Sequence, residues 1–256
     1  MLLDPRISAC IVLYHSGEKA LDAVRCIQAS TVPVDLRIID HSPQDPTAGQ
    51  IHEIAPNVPI YPQKENLGYA RGHNLMLPMI HSAYHLVMNP DVVFAPDLLE
   101  RMMAYMDAHP DIMVLTPRVF GEDGEEQFLP KLQPTLRYLL GGVLENRLKC
   151  ARRWRDEYTL RGQEPDGPLS VQFATGCFML VRTHLFFRLK GFDERFFLYH
   201  EDSDFSRRVL LHGSIVYNPD FCITHTWGRE SHKIRKMRWE HFKSTVKYFH
   251  KWGWRW

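Results

Sequence analysis

Short apolar runs alternate with segments of helical periodicity along the first 120 residues of the chain. The runs are rich in β-branched residues and predict buried strands at 7–14, 36–39, 58–61, 85–88 and 113–116. Apolar side chains at helical spacing predict the intervening helices at 18–30, 48–54, 70–83 and 96–109. Such alternation is typical of an α/β domain with a mostly parallel central sheet and helices on both faces.

The pattern after residue 120 is less regular. It predicts a turn-rich segment at 121–133, a helix at 134–155 and a loop at 158–168. A strand interrupted at Gly176 is predicted at 171–181, a second helix at 204–211 and a last strand at 215–217. We therefore expect one domain over residues 1–231, followed by a basic, aromatic C-terminal helix over 232–256.

Polar residues follow three of the predicted strands. Asp40, Asn66 and Asp91 each lie at the end of a strand or in the loop beyond it. Ligands of parallel α/β sheets bind outside the carboxyl ends of the strands, so these side chains are expected at one edge. Asp91 is a suitable ligand for a hard divalent cation. Asn89-Pro90-Asp91 also fits a plain Asx-Pro turn that closes a strand.

A second acidic cluster, Glu201-Asp202, follows the aromatic run 196–200. A carboxylate beside apolar rings has a raised pKa, which suits a general base. Acidic residues in the first turn of a helix are also common for dipole reasons alone, and both readings stay open. His225 is a candidate ligand, although a lone histidine is more often a packed core residue.

The loop around Gly68 and Arg71 suits the approach of a phosphate, because glycine admits close backbone contact and arginine pairs with phosphate oxygens. Its spacing matches neither a Walker loop nor a dinucleotide-binding fingerprint. A nucleotidyltransferase would carry a glycine-rich, lysine-bearing loop after the first strand. The segment 14–17 has no lysine, which counts against that class.

Eight short motifs stand in a distinctive order between residues 7 and 231. They are Val12-Leu13-Tyr14-His15, Ile39-Asp40-His41-Ser42, 66–74, Asn89-Pro90-Asp91, 174–178, Gly191-Phe192-Asp193-Glu194, 200–204 and His225-Thr226-Trp227-Gly228. Together they resemble the family-2 inverting glycosyltransferases with the GT-A fold. The resemblance is strongest to bacterial rhamnosyltransferase-like enzymes that assemble cell-surface polysaccharides such as the O-antigen.

The resemblance implies a donor site for a nucleotide-diphosphate sugar, with dTDP-L-rhamnose the best guess. The residues implied to bind this donor are Tyr14, Asp40, Asn66, Gly68, Arg71, Asn74, Asn89 and Asp91. Asn89-Pro90-Asp91 occupies the place of the family's Asp-x-Asp motif, which binds a divalent metal, Mg²⁺ or Mn²⁺. Because its first acid is Asn89 here, the resemblance leaves Asp91 as the carboxylate ligand and suggests His225 as a further ligand.

The resemblance also implies a reaction by direct displacement with inversion. Asp202 would be the general base on the acceptor hydroxyl, with Glu201 the runner-up. Gly176 and Trp227 would contact a saccharide or lipid-linked saccharide acceptor. A non-catalytic nucleotide-sugar-binding or scaffold protein is the alternative, because Asn89 weakens the metal motif.

Residues 229–256 hold nine Lys or Arg and two acids, in a chain whose net charge is +1. Four tryptophans accompany them. This combination suits an anionic membrane surface. The alternative is a helix that packs its aromatic side chains on the domain and leaves its lysines solvated. Nucleic-acid binding is disfavoured, because no recognised module accompanies the charge.

The five cysteines are scattered without a CxxC pair, which argues against a disulfide framework or a zinc knuckle. A reducing cytosol fits this pattern best. The sequence shows no signal-peptide pattern and no continuous apolar stretch of the length needed to span a bilayer. We expect a cytoplasmic protein whose membrane contact, if present, is peripheral on the inner face of the cell membrane.

Overall fold

A computed structural model describes residues 6–129, 131–162, 165–226 and 235–256. The strands in these ranges are β1 Ile7–Leu13, β2 Val34–Asp40, β3 Ile60–Pro62, β4 Tyr84–Met88, β5 Val92–Phe94, β6 Ile112–Phe120, β7 Leu169–Ser170, β8 Phe178–Arg182 and β9 Ser214–His225. The helices are α1 Glu18–Gln28, α2 Thr47–Ile54, α3 Tyr69–Asn74, α4 Leu98–Ala108, α5 Leu136–Leu144, α6 Lys149–Tyr158, α7 Thr183–Arg188, α8 Glu201–Val209 and α9 Arg235–Trp252.

All the described strands belong to one sheet, in the order β3-β2-β1-β4-β8-β6-β9-β5, with β7 paired to β9. Parallel pairs join β3 to β2, β2 to β1, β1 to β4, and β6 to β9. Strand β8 runs antiparallel between β4 and β6, and β5 and β7 run antiparallel to β9. The mostly parallel sheet confirms the predicted α/β class.

The sheet is buried on both faces, as its near-continuous apolar strands require. In β1, Ile11 points into one hydrophobic core and Cys10 into the other, and neither is exposed. Helix α1 covers the first core with the stripe Ala20, Val24 and Ile27, which recurs at helical spacing. The strands β1, β2, β4 and β9 run in the same direction, so their carboxyl ends meet at one exposed edge of this sheet.

Two predicted helices are shorter than their patterns suggested. The helix predicted over 70–83 ends at Asn74, and a 3₁₀ turn follows at Leu77–Met79. Pro78 cannot donate its backbone N–H and crowds the preceding turn, so it stops the helix. The helix predicted over 134–155 is two helices, α5 and α6, because the chain reverses and packs Gly141 directly against the backbone of Ala151.

The last strand is longer than predicted, and two short strands, β5 and β7, were missed. The predicted strand at 215–217 runs on to His225, past Pro219. Proline is tolerated there because the pairing of β6 with β9 shifts register between Pro117 and Arg118, opposite this segment. The missed strand β5 spans only three residues, and it pairs Val92 with His225. The predicted helix at 204–211 instead begins at Glu201.

The C-terminal helix α9 has an inner and an outer face. Tyr248 and Phe249 are buried against Phe196, as the packing alternative predicted. Trp239 and Phe242 stack on each other and remain exposed. No helix within the described ranges combines the length and the apolar character needed to cross a membrane.

Candidate active site

The centre of the exposed edge is a contact between Asp91 and His225. Asp91 follows β4, and His225 is the last residue of β9, so two strand ends bring them together. His225 Nε2 lies 3.3 Å from Asp91 Oδ1 and 3.3 Å from Asn89 Nδ2. Thr226 donates its backbone N–H to the carbonyl oxygen of Asp91 at 2.9 Å, which fixes the pair.

Asp91 Oδ1 is buried and takes part in no hydrogen bond. A buried carboxylate oxygen left without a donor is costly, and a cation at that position would satisfy it. The chemistry of the pair fits a divalent ion, because carboxylate oxygen and imidazole nitrogen are both common ligands. Within the described ranges no three His, Cys, Asp or Glu side chains form a metal cluster, so an ion here needs further oxygens from substrate and water.

Gln127 orients the ring of His225 with two hydrogen bonds. Its Nε2 donates to the carbonyl oxygen of His225 at 3.0 Å, and its Oε1 lies 3.1 Å from Nδ1. The first bond fixes the direction of the amide, so Oε1 accepts a hydrogen bond from the Nδ1–H group. The neutral ring then carries its lone pair on Nε2, which faces Asp91. This is the tautomer that a metal ligand requires.

The donor-side residues of β1 and β2 lie at the same edge. Asp40 ends β2 and is almost fully buried, and its Oδ1 accepts the backbone N–H of Ser42 at 2.9 Å. Ser42 in turn accepts the backbone N–H of His15 at 3.0 Å, so the two loops are bound together. Tyr14 is 52% exposed beside them, as a ring available to a nucleotide must be.

The loop at 66–68 lies directly on the chain that leads to the acidic cluster. Asn66 Oδ1 accepts the backbone N–H of Gly68 at 2.8 Å, and Tyr69 donates its backbone N–H to the carbonyl oxygen of Phe197 at 2.9 Å. Gly68 has φ +81°, and a Cβ there would lie 2.2 Å from that same carbonyl oxygen. Only glycine allows this approach, so the sequence signal at Gly68 reflects packing between two loops of the site.

Two predicted donor residues make other contacts. Asn74 Nδ2 donates to the carbonyl oxygen of Phe192 at 2.9 Å, and Asn74 Oδ1 accepts the backbone N–H of Phe192 at 2.8 Å. Its amide is thus committed to the turn at 191–194. Arg71 is exposed and pairs with Glu194 at 3.4 Å. These contacts give Asn74 a structural role, and they leave the guanidinium of Arg71 at the surface.

The segment Gly176–Cys177 joins the two acidic centres. Gly176 donates its backbone N–H to Asp202 Oδ2 at 3.2 Å, and the carbonyl oxygen of the next residue, Cys177, accepts the backbone N–H of Asn89 at 2.9 Å. One dipeptide therefore separates Asp202 from the Asn89–Asp91 turn, a span of at most roughly 13 Å. Burial raises the pKa of the Cys177 thiol to about 12, and the charges of Asp91 and Asp202 add to this effect.

The two adjacent carboxyl groups are in different environments. Burial, and then the charge of Asp202, hold the pKa of Glu201 well above its ordinary value, and Glu201 Oε2 is buried without a hydrogen bond. Burial also raises the pKa of Asp202. That shift is opposed by the positive charge of Lys131 and by the Gly176 and Ser203 N–H groups. Asp202 is therefore the one more easily ionised.

A strained turn leads into this pair. Tyr199 and His200 have φ of 69° and 66°, in the left-handed region that costs non-glycine residues energy. Helix α9 holds the turn, because Ser244 Oγ donates to the carbonyl oxygen of Leu198 at 2.8 Å and Thr245 Oγ1 lies 3.0 Å from His200 Nε2. The C-terminal helix thus fixes the start of α8.

A buried ion-pair network fastens the other end of α9. Asp204 in α8 has no exposed surface and accepts hydrogen bonds from Arg208 Nε at 2.8 Å and from Trp252 Nε1 at 2.7 Å. Lys251 Nζ lies 2.6 Å from Asp204 and 2.6 Å from Asp193. A fully paired buried carboxylate of this kind is costly to disturb from either side.

Two residues of the site, Gln127 and Lys131, were not predicted from the sequence, and one predicted residue, Trp227, lies outside the described ranges. Gln127 and Lys131 fall in the turn-rich segment 121–133, where no periodicity marks them. Lys131 Nζ lies 5.0 Å from the ring centroid of Phe173. An isolated lysine among apolar and turn residues was the only signal available. Trp227, predicted to bind the acceptor, lies outside the described residues.

This fold, with acidic residues and a late histidine gathered at the carboxyl edge of its sheet, defines a GT-A glycosyltransferase. The family profile of glycosyl transferase family 2 matches residues 8–187, more than half of the chain. The chain belongs to glycosyl transferase family 2.

Two curated relatives are rhamnosyltransferases. The chain is 38% identical over 197 residues to rhamnosyltransferase WbbL of Escherichia coli, covering 71% of this chain and 69% of that protein. It is 27% identical over 213 residues to the N-acetylglucosaminyl-diphospho-decaprenol L-rhamnosyltransferase of Mycobacterium tuberculosis, covering 77% and 68%. The family resemblance to rhamnosyltransferase-like enzymes is thereby confirmed.

Solved structures share the fold at low identity. The mannosyltransferase PcManGT of Pyrobaculum calidifontis, in complex with GDP-Man and Mn²⁺, superposes with a TM-score of 0.63 at 16% identity, over 97% of this chain. TarS of S. aureus in complex with UDP gives a TM-score of 0.62 at 16% identity, over 92% of this chain. The chain spans 65% of the length of each of these structures.

Proposed function

We propose that this glycosyltransferase moves L-rhamnose from dTDP-L-rhamnose to a hydroxyl group of a saccharide or lipid-linked saccharide, with inversion. The names of the two rhamnosyltransferase relatives support the sugar. The Mycobacterium relative is named for a lipid-diphosphate acceptor, which supports the acceptor class. The donor side would be Tyr14 and Asp40, with the loop at 66–68 behind the nucleotide.

Asp91 and His225 would hold a divalent ion, Mg²⁺ or Mn²⁺, together with oxygens of the donor diphosphate and water. The orphaned Asp91 Oδ1 and the orientation of His225 by Gln127 support this pairing. Such an ion, when bound, supplies Lewis-acid stabilisation of the leaving diphosphate. Asn89 would not act as a ligand, because its amide nitrogen rather than its oxygen faces His225 Nε2, and a bound ion would replace that hydrogen bond.

Asp202 would take the proton from the acceptor hydroxyl. The hydroxyl oxygen forms a bond to the anomeric carbon while the bond from that carbon to the β-phosphate oxygen breaks, and dTDP leaves with the electron pair. Glu201 remains protonated beside it, because its own environment disfavours a charge. Attack and departure on opposite faces of the sugar produce inversion without a protein nucleophile.

One observation carries the proposal: consecutive residues Gly176 and Cys177 hydrogen-bond Asp202 on one side and Asn89 on the other. The proposed base and the proposed diphosphate site therefore lie within roughly 13 Å of each other. A scaffold protein would bind the donor and leave it intact. Asn89 and the lack of a three-residue metal cluster within the described ranges favour that alternative.

The test is release of dTDP from dTDP-L-rhamnose, with and without acceptor. We expect release that depends on Mg²⁺ or Mn²⁺ and is lost in Asp91→Asn. Asp97→Asn is the matched control, because Asp97 is an exposed surface aspartate paired only with Arg101. Donor binding with no release under any metal condition would favour the scaffold.

A lipid-linked acceptor would place the protein at the cytoplasmic face of a membrane. The outer face of α9, where Trp239 and Phe242 are exposed, supports peripheral contact there. Deletion of that segment would also remove the contacts of α9 with α8, so point variants of the outer face are the appropriate test.

A further inference from the structure

The hairpin formed by α5 and α6 projects an exposed apolar tip. Val143 is 77% exposed, Leu148 48% and Leu140 41%. Leu140 and Val143 are three residues apart on α5, so they share one stripe of the helix. The opposite side of α5 is buried, because Gly141 packs against Ala151 of α6. The stripe therefore faces away from the domain.

Four cations follow this stripe, in the connection between the two helices and in the first half of α6. Arg147, Lys149, Arg152 and Arg153 are all exposed. None of the four forms an ion pair with a residue of the described ranges. The salt bridges found there join other residues, for example 6 with 107, 137 with 157 and 204 with 208. Between residues 140 and 153 the only acid is Glu145. Apolar side chains and unpaired cations occupy the same small surface, which we call the hairpin tip.

We propose that the hairpin tip docks onto an anionic lipid surface. Inserted Leu and Val side chains would meet the acyl boundary, while the cations bind lipid phosphates around them. A second copy of this chain is disfavoured as the occupant, because two hairpin tips would bring eight cations together. This inference rests on the proposed lipid-linked acceptor and adds the surface that would reach it.

The C-terminus lies against the same hairpin. Leu136 at the start of α5 donates its backbone N–H to the carbonyl oxygen of Arg255 at 2.9 Å. The Trp256 ring lies 6.0 Å from the Trp154 ring of α6 and is 69% exposed. A tryptophan with one side on protein and the other exposed suits the headgroup region of a bilayer.

The root of the hairpin adjoins the base. Tyr158, at the end of α6, accepts the backbone N–H of Leu132 at 3.0 Å, and the charge of Asp202 acts on its hydroxyl. From Tyr158 back to Lys149, α6 is about 14 Å long. The hairpin tip is thus separated from this root by about the length of α6, and a bilayer touching it would lie on the same arm of the fold as the base.

The test is co-sedimentation of the full chain with phosphatidylcholine vesicles, with and without phosphatidylglycerol. We expect binding only to the anionic vesicles, and its weakening as salt is raised. Alanine at Arg147, Lys149, Arg152 and Arg153 together should lower the vesicle affinity by about 10²–10³-fold. Val143→Asp should also lower it at constant cation number.

The matched control changes exposed cations elsewhere: Arg188→Ala with Lys190→Ala. These two should leave vesicle binding within about twofold, since they remove surface charge distant in sequence from the tip. Undiminished binding by both hairpin-tip variants would overturn the proposal. Release of dTDP without acceptor is measured in parallel. If the hairpin-tip variants keep that activity and lose vesicle binding, docking is supported; if wild type lacks the activity, the proposed function fails separately.

Discussion

The hydroxyl of Ser244 holds the strained turn that leads to the acidic pair, so Ser244→Ala should impair turnover. Ser244 is 1% exposed, and Ser244→Ala leaves the part-buried carbonyl oxygen of Leu198 without this donor. That costs about 1–3 kcal/mol. The left-handed conformations of Tyr199 and His200 cost about 1–3 kcal/mol each. The lost bond is therefore of the same size as the strain that it helps to offset.

A relaxed turn would displace Asp202 while leaving the donor side in place. A shift of about 1.4 kcal/mol toward the relaxed turn lowers the ratio of productive to relaxed turns about tenfold. We expect kcat to fall roughly 3- to 30-fold, with the donor Kd unchanged within about twofold. The measurements are steady-state transfer and donor titration calorimetry.

Two further variants separate positioning from general destabilisation. Tyr199→Gly in the Ser244→Ala background should recover part of kcat, because glycine adopts the left-handed conformation at little cost. Lys243→Ala on the same helix is the control, since among the described residues Lys243 pairs with Glu240 alone. An unchanged kcat in Ser244→Ala, or a donor Kd weakened in proportion to kcat, would refute the positioning role.

Three other predictions concern protonation and the metal. Burial lowers the pKa of His85 to about 3, so the folded chain keeps it neutral while the unfolded chain protonates it near pH 6.5. The contribution of His85 to the free energy of unfolding is therefore present above that pH and is lost below it, by about 1.4 kcal/mol between about pH 7.5 and 5.5. Urea titrations over this pH range should show a smaller loss in His85→Gln. Lys131→Met removes a positive charge that lowers the pKa of Asp202. The acid limb of the pH profile of kcat/KM should therefore move to higher pH. An unmoved limb would contradict Asp202 as the ionised base. Gln127→Leu should weaken Mn²⁺ affinity about 10- to 100-fold in calorimetry with dTDP present, because His225 loses its orienting partner; equal affinity would show that Gln127 does not set the tautomer.

The residues at the ends of regular strands were predictable, and the others were not. Asp40 and Asp91 follow short apolar runs, so their place at one edge follows from the alternation of strands and helices alone. The position of His225 at a strand end was hidden by Pro219, which the sheet accommodates at a register shift. Gln127 acts through a loop that no local pattern marks.

Long-range packing explains the remaining differences. The role of Gly68 follows from its contact with Phe197, which is distant in sequence, and no local signal reports such an approach. The packing of the C-terminal segment 232–256 was likewise not predictable from its sequence alone. Its composition suggested two alternatives, and the structure gives α9 a buried face with Tyr248 and an exposed face with Trp239.

The most direct test of the central claim is single-turnover transfer by Asp202→Asn beside Glu201→Gln, both saturated with donor and acceptor. We expect Asp202→Asn to transfer sugar about 10²–10⁴-fold more slowly while binding dTDP-L-rhamnose normally. We expect Glu201→Gln to keep most of its rate, because burial and the charge of Asp202 raise the pKa of Glu201 and disfavour its charged form. Near-normal transfer by Asp202→Asn together with an inactive Glu201→Gln would contradict the assignment of the base.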